Sequence, residues 1–179
     1  CVAFVGDGGL SMLLAEVATC VQEKLPVKVV VIKNNALGMI KWEQMVFLGN
    51  PEYGVDLSPI DFVKAAEACG ARGIRIEDPS TCRQQLTNAL AMDGPVVIEA
   101  VVDPYEAPMP PKVQPQQAKH MTEALARGEP NRQRIALTLF RDVVEEAGYS
   151  SSPSGIPGRI REAVAGALGQ GEEDSSRKE

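Results

Sequence analysis

Asp7 and the paired amides Asn34 and Asn35 are the residues of this chain best suited to holding a hard cation beside an anion. Asp7 offers a carboxylate oxygen and either asparagine an amide oxygen. Mg²⁺ takes six oxygens in near-octahedral array and keeps several positions for water and substrate phosphate. Gly6, Gly8 and Gly9 surround the carboxylate. Gly8 and Gly9 have no Cβ, so backbone there can approach a bulky anion or adopt φ > 0. A helical pattern opens near Leu10, and the N–H groups of a first helical turn favour a phosphate at the same place. One carboxylate, one amide and a glycine-lined helix start suit a magnesium diphosphate. Standing alone, Asp7-Gly8 is a turn dipeptide, but a hairpin needs an alternating strand after it, and the residues from Leu10 onward run at helical spacing instead.

The surrounding elements must bring these residues together. Val2 to Val5 is a short apolar run, the pattern of a buried strand. Leu10, Leu13, Leu14, Val17, Ala18, Val21 and Leu25 recur at helical spacing, Pro26 ends the helix, and Val27 to Ile32 forms a second apolar strand. Strand, glycine turn, helix and strand make one βαβ unit with parallel strands. Gly6-Asp7-Gly8-Gly9 and Lys33-Asn34-Asn35 then leave from one edge, the carboxyl ends, where open α/β sheets bind ligands. A helix over Met39 to Leu48 is stopped by Gly49-Asn50-Pro51, and the loop from Asn50 to Ser58 is long enough to cover a site. A helix begins at Pro59 and is closed by Gly70, Gly73 to Ile76 is a strand, and Asp78 caps a further helix ending at Asp93-Gly94. Pro95 to Val102 is a third buried strand. This alternation predicts an α/β fold with a doubly wound, mostly parallel sheet over residues 1–104.

Beyond Asp103 the character changes. Pro104, Pro108, Pro110, Pro111 and Pro115 predict an extended crossing segment that cannot join a sheet interior. A clean apolar stripe from Pro130 to Ala147, closed by Gly148, predicts a helix, and residues 105–148 form a C-terminal stretch of their own. Residues 149–179 read as a flexible tail, with a Ser/Pro/Gly cluster and a polar end around Ile160, Val164 and Leu168 at helical spacing. The single histidine, His120, reads as a surface residue. At 44% hydrophobic, 23% charged and net charge −6, the composition is ordinary for a globular protein and argues against a nucleic-acid partner. Cys1, Cys20, Cys69 and Cys82 show no metal-ligand spacing and read as small, reduced core residues. No apolar run approaches transmembrane length.

Gly6-Asp7-Gly8 followed by Asn34-Asn35, with 27 positions from Asp7 to Asn34, resembles the thiamine diphosphate motif, which opens with GDG and closes with NN. The run Asn34-Asn35-Ala36-Leu37-Gly38-Met39-Ile40-Lys41-Trp42-Glu43-Gln44 is similar to the branch holding pyruvate oxidases, pyruvate dehydrogenases (quinone) and acetolactate synthases. The likeness runs from Cys1 to about Gly148. It implies the diphosphate-binding domain of an enzyme that decarboxylates pyruvate or a related 2-oxo acid, most like an oxidase. Acetolactate synthase or another acyl transferase of the superfamily is the alternative.

In that branch the ligand asparagine precedes a glycine by four positions, so Gly38 selects Asn34 over Asn35. The resemblance then implies Mg²⁺ on Asp7, Asn34 and the backbone carbonyl of Ala36. It implies cofactor contacts from Gly6, Asp7, Gly8, Gly9, Asn34, Ala36, Gly38, Met39 and Ile40. Glu43 stands where the oxidases place a glutamate facing the cofactor's reacting carbon and acetolactate synthases tend to carry tryptophan. A buried glutamate there would have a raised pKa and could shuttle protons, making Glu43 the catalytic candidate. Trp42 reads as core or pocket wall and Lys41 as solvated. A chain opening with Cys1 inside a strand reads as a fragment, inactive alone. The family counterpart carries a pyrimidine-binding domain and a middle domain, the latter holding FAD in the oxidases. The likeness further implies a cytoplasmic homodimer or homotetramer with its site at a subunit interface. Some such oxidases reach membrane quinone through a C-terminal amphipathic helix, a role for which Ile160 to Leu168 is weakly apolar.

Overall fold

Val96, Val97, Ile98 and Glu99 are each at most 1% exposed, as only a strand covered on both faces permits. In the computed structural model, which describes residues 1–106 and 114–149, they begin β4 (Val96–Val101). It lies between β2 (Lys28–Lys33) and β3 (Arg72–Ile76), with β1 (Val2–Gly6) beyond β2. The order is β1-β2-β4-β3 and every pair is parallel. The sheet belongs to one compact unit, Cys1–Leu37 with Asp56–Pro104. A second unit comprises Gly38–Val55, carrying α3 (Gly38–Val46), and the described residues from Tyr105, carrying α6 (Pro115–Ala126) and α7 (Arg132–Tyr149).

Helices cover both faces of the sheet, as the alternation of elements predicts. α1 (Asp7–Met12), α2 (Glu16–Gln22) and α4 (Phe62–Ala68) pack Leu10, Val17, Phe62 and Ala66 against Val31 and Val97. α5 (Pro79–Ala91) packs Ala89 against Ile76, Val96 and Ile98 on the opposite face. The two-residue strand period divides Val97 and Glu99 from Val96 and Ile98 in this way. A Cβ on Gly73 of β3 would lie 2.7 Å from Val63 Cα, so α4 seats directly on bare backbone.

Several expectations are corrected. Among the described residues β1 pairs with β2 alone, and Val2 and Phe4 are 59% and 74% exposed there, where a buried strand is expected. The single helix expected from Leu10 to Leu25 is two. Between them Leu13, Glu16, Val17 and Ala18 each donate to the carbonyl three residues back, a tightened turn that leaves Met12 and Leu13 exposed while burying Val17. α7 continues through Gly148 to Tyr149. All four cysteines are free, but Cys1 is exposed and the others half-buried. Residues 107–113, with most of the proline-rich crossing, and the tail from 150, with Ile160 to Leu168, lie outside the described residues. Among the described residues no helix is long and apolar enough to cross a membrane.

In the second unit Trp42, Met45 and Val46 of α3 pack with Met121 and Ala124 of α6 and Ile135 of α7. Lys41 is buried there, against the expectation of a solvated side chain. Its Nζ lies 2.6 Å from Glu52 Oε2 and 5.1 Å from the Tyr105 ring centre. The loop after α3 is tied down. Gln44 exchanges two hydrogen bonds with the Tyr53 backbone, at 3.0 and 2.9 Å. The Glu52 N–H donates to Glu129 Oε2 at 2.9 Å.

Candidate functional site

The parallel register pairs Gly6 with Ile32, so the chain leaves β1 and β2 at one edge, with Asp7 next after Gly6 and Asn34 two residues beyond Ile32. Asp7 opens α1 and is 6% exposed. Its Oδ1 accepts from the Gly8 N–H at 2.9 Å. Its Oδ2 accepts from the N–H groups of Asn34 and Asn35 at 3.1 and 2.6 Å. The carboxylate is thus a clasp between the start of α1 and the turn after β2. That turn is built from asparagine chemistry. Asn34 Oδ1 accepts from the Ala36 N–H at 3.0 Å, an Asx turn, and Asn35 sits in the left-handed region at φ 56°, which asparagine tolerates better than most residues. The Leu57 N–H then donates to the Asn35 carbonyl at 2.9 Å.

One of the two expectations for the glycines, a positive φ, is corrected. Neither Gly8 nor Gly9 has positive φ. A Cβ on Gly8 would lie 2.7 Å from Leu37 Cδ2, and one on Gly9 2.9 Å from Val5 Cγ2. Their bareness lets α1 seat against side chains, and the left-handed backbone falls on Asn35.

A pocket of about 210 Å³ lies beside the carboxylate, lined by Asp7, Ser11, Asn35, Leu57, Ser58, Ile60 and Phe62. Sequence reasoning named Asp7, Asn35 and the covering loop that holds Leu57 and Ser58, and missed Ser11, Ile60 and Phe62. Ser11 had a usable signal, standing four residues after Asp7 on one helix; its hydroxyl donates to the Gly8 carbonyl at 2.8 Å. For Ile60 and Phe62 nothing marked a place in the wall from Leu57 to Phe62. Its last residue begins α4, capped by Asp61, which accepts from the Lys64 N–H at 3.0 Å. That bond, with the Lys64 and Arg75 side chains, holds the Asp61 carboxyl well below the ordinary range. Asp61 and Glu99 in turn raise the Arg75 guanidinium.

The donor set fits a small hard cation. An ionised carboxylate offers about four lone-pair sites and an amide oxygen two. Three N–H groups occupy Asp7 and one occupies Asn34 Oδ1, so each keeps capacity, and Ala36 adds a carbonyl. Few protein oxygens with room for water and phosphate is the magnesium pattern. Among the described residues no three His, Cys, Asp or Glu side chains cluster for a metal. Gly38, Met39, Ile40 and Glu43 all lie on α3 in the second unit. Met39 and Ile40 are 66% and 46% exposed, and Glu43 is exposed.

The family model for the C-terminal TPP binding domain of thiamine pyrophosphate enzymes matches residues 1–100. The putative thiamine pyrophosphate-containing protein YdaP of Bacillus subtilis (strain 168) is 40% identical over 118 residues, 66% of this chain and 20% of that protein. A probable acetolactate synthase large subunit of Methanocaldococcus jannaschii is 36% identical over 113 residues, 62% of this chain and 19% of that one. Among solved structures, the thiamine diphosphate-dependent 4-hydroxybenzoylformate decarboxylase of Rhodococcus jostii RHA1 superposes with a TM-score of 0.53 at 26% identity, covering 57% of this chain and 19% of that one. The chain therefore spans about a fifth of the length of the relatives it matches. With the match covering more than half of its residues, the chain belongs to the thiamine pyrophosphate enzymes and carries their C-terminal TPP-binding domain.

Proposed function

We propose that this chain holds the magnesium diphosphate end of thiamine diphosphate in an enzyme that decarboxylates pyruvate or a closely related 2-oxo acid. The observation supporting this most directly is the Asp7 carboxylate clasped by the Gly8, Asn34 and Asn35 N–H groups beside a pocket at the carboxyl edge of the sheet. Asp7 would neutralise Mg²⁺ charge, and Asn34 and the Ala36 carbonyl would complete the protein's share of ligands. The backbone around Gly6, Gly8 and Gly9 would border the diphosphate, with Gly38, Met39 and Ile40 as further cofactor contacts. When bound, thiamine diphosphate supplies the carbon nucleophile and electron sink that loss of CO₂ requires.

In the oxidase form of this reading, electrons pass to FAD held elsewhere in the protein and then to quinone or oxygen, and Glu43 moves protons near the reacting carbon. The second reading is acetolactate synthase, favoured by the names of several relatives. The test uses the intact enzyme with thiamine diphosphate, Mg²⁺ and pyruvate. Acceptor-dependent CO₂ release is expected, with Glu43→Gln lowering turnover by about 10²–10⁴-fold at unchanged cofactor affinity. Acetolactate formed without an acceptor favours the synthase. An active Glu43→Gln enzyme within a factor of about two of wild type returns Glu43 to the solvated surface. Neither product from pyruvate or its near homologues overturns the proposal.

A further inference from the structure

Glu99 is 0% exposed, in the middle of β4, a position where an apolar residue would be the ordinary choice. Its carboxylate gathers three donors from three elements. Oε2 accepts from the Phe62 N–H, the first residue of α4, at 2.8 Å. Oε1 accepts from Arg75 Nε of β3 at 2.8 Å and from Lys33 Nζ, the last residue of β2, at 3.2 Å. The register explains the convergence. Val31, Glu99 and Arg75 form one row across the sheet, and Lys33, two residues past Val31, projects from the same face.

Two of these donors adjoin the proposed diphosphate site. Lys33 immediately precedes Asn34-Asn35, whose N–H groups hold Asp7. Phe62 lines the pocket beside Asp7. Buried ion pairs add little stability over apolar packing of the same volume, so the arrangement is poorly explained as a stabiliser. What it does provide is direction: one rigid carboxylate fixes the end of β2 and the start of α4 relative to each other.

We infer that Glu99 is a positioning residue for the diphosphate site, setting the spacing between the Asn34-Asn35 turn and the Leu57–Phe62 wall. The inference rests on the proposed cofactor role of Asp7 and Asn34, and it adds a residue that touches neither metal nor cofactor. Changes to residues that orient metal ligands typically cost 10–100-fold in affinity. Glu99→Gln, which keeps shape but turns donors toward Lys33 and Arg75, should therefore weaken Mg²⁺-dependent thiamine diphosphate binding by about that range.

The experiment titrates thiamine diphosphate with saturating Mg²⁺ into the intact wild-type protein, Glu99→Gln and Lys33→Met, by calorimetry at a temperature where circular dichroism shows each fully folded. Lys33→Met leaves Phe62 and Arg75 on Glu99, so it keeps α4 attached and answers the question if Glu99→Gln does not fold. Both variants should bind more weakly, by at least about ten-fold for Glu99→Gln, and the double variant should lose less than the product of the two. A merely structural Glu99 would lower the melting temperature of the cofactor-free protein and leave affinity within two-fold, and that result overturns the inference. If the wild type itself fails to bind, the proposed cofactor role falls and this inference with it. Wild-type binding with unaltered variants removes Glu99 alone.

Discussion

Replacing Asp7 by Asn removes one charge and one acceptor with almost no change of shape. The carboxylate accepts from Gly8, Asn34 and Asn35. An amide oxygen placed where Oδ2 lies would keep the Asn34 and Asn35 bonds, now worth about 0.5–1.5 kcal/mol each where a charged acceptor gives about 1.5–3. The amide NH₂ would then meet the Gly8 N–H donor to donor. Two weakened bonds and one lost bond suggest roughly 5 kcal/mol, discounted to about 2–4 because water reaches the half-exposed Gly8 and Asn34 and can replace part of the loss. The fold should survive that. The metal should not: altering groups that merely orient a ligand costs 10–100-fold, so losing the charged ligand should cost at least about 100-fold in Mg²⁺-dependent affinity. The assay is calorimetric titration of thiamine diphosphate into intact wild-type and Asp7→Asn protein, with and without Mg²⁺, beside a denaturant titration. Wild-type affinity in a variant measurably less stable would show that Asp7 only fastens the turn, and would refute the metal assignment. Asp7→Ala is the poorer probe, because it leaves three N–H groups unmet and confounds the two effects.

Asn35→Gly should be near neutral for stability while Asn35→Ala costs about 1 kcal/mol, because Ala resists the left-handed backbone seen at φ 56°; equal stabilities would mean that the turn relaxes. Asn34→Ala should impair Mg²⁺-dependent binding more than either. Gly73→Ala places a Cβ 2.7 Å from Val63 Cα and should cost about 1–3 kcal/mol or more in urea unfolding; a loss near zero would unseat α4 from β3. Lys41→Met leaves the buried Glu52 carboxylate with the Asn131 amide but no cation, and should cost about 3–5 kcal/mol, largely restored by adding Glu52→Gln; absence of that restoration would refute the pairing. Asp61, whose carboxyl is depressed by its Lys64 and Arg75 bonds, contributes stability that is full above its unfolded value near 4 and fades as pH falls toward the lower folded value. The stability gap between wild type and Asp61→Asn should therefore hold from about pH 5 to 8 and shrink below about pH 4, and a gap constant into acid would contradict the assignment.

Residue type at fixed spacing was the legible part of the chain. The βαβ order placed Asp7 and Asn34-Asn35 at one edge from the sequence alone, because apolar runs and a helical stripe are strong signals. Burial of Lys41 was illegible, since its partner Glu52 lies in a loop and Tyr105 is 64 residues away in sequence. Gly8 and Gly9 suggest both freedom of φ and absence of volume, and the structure uses the second, against Leu37 and Val5. Composition cannot separate those two uses of glycine. Glu99, a charge inside a valine-rich strand, went unremarked in the sequence because its partners lie on three other elements.

The clasp also governs how the site would bind its ion. Asp7 is oriented by three N–H groups and Asn34 by its own Asx turn, so the ligands need little further ordering when a cation arrives. Ordering of loops and side chains is a cost that a preformed site avoids. The same N–H groups, however, draw on the carboxylate's negative charge and so compete with the metal for it. The geometry thus trades strength of each ligand for readiness of the set. That trade suits a magnesium ion, which keeps water and phosphate in most of its coordination positions and asks the protein mainly to hold a few oxygens still.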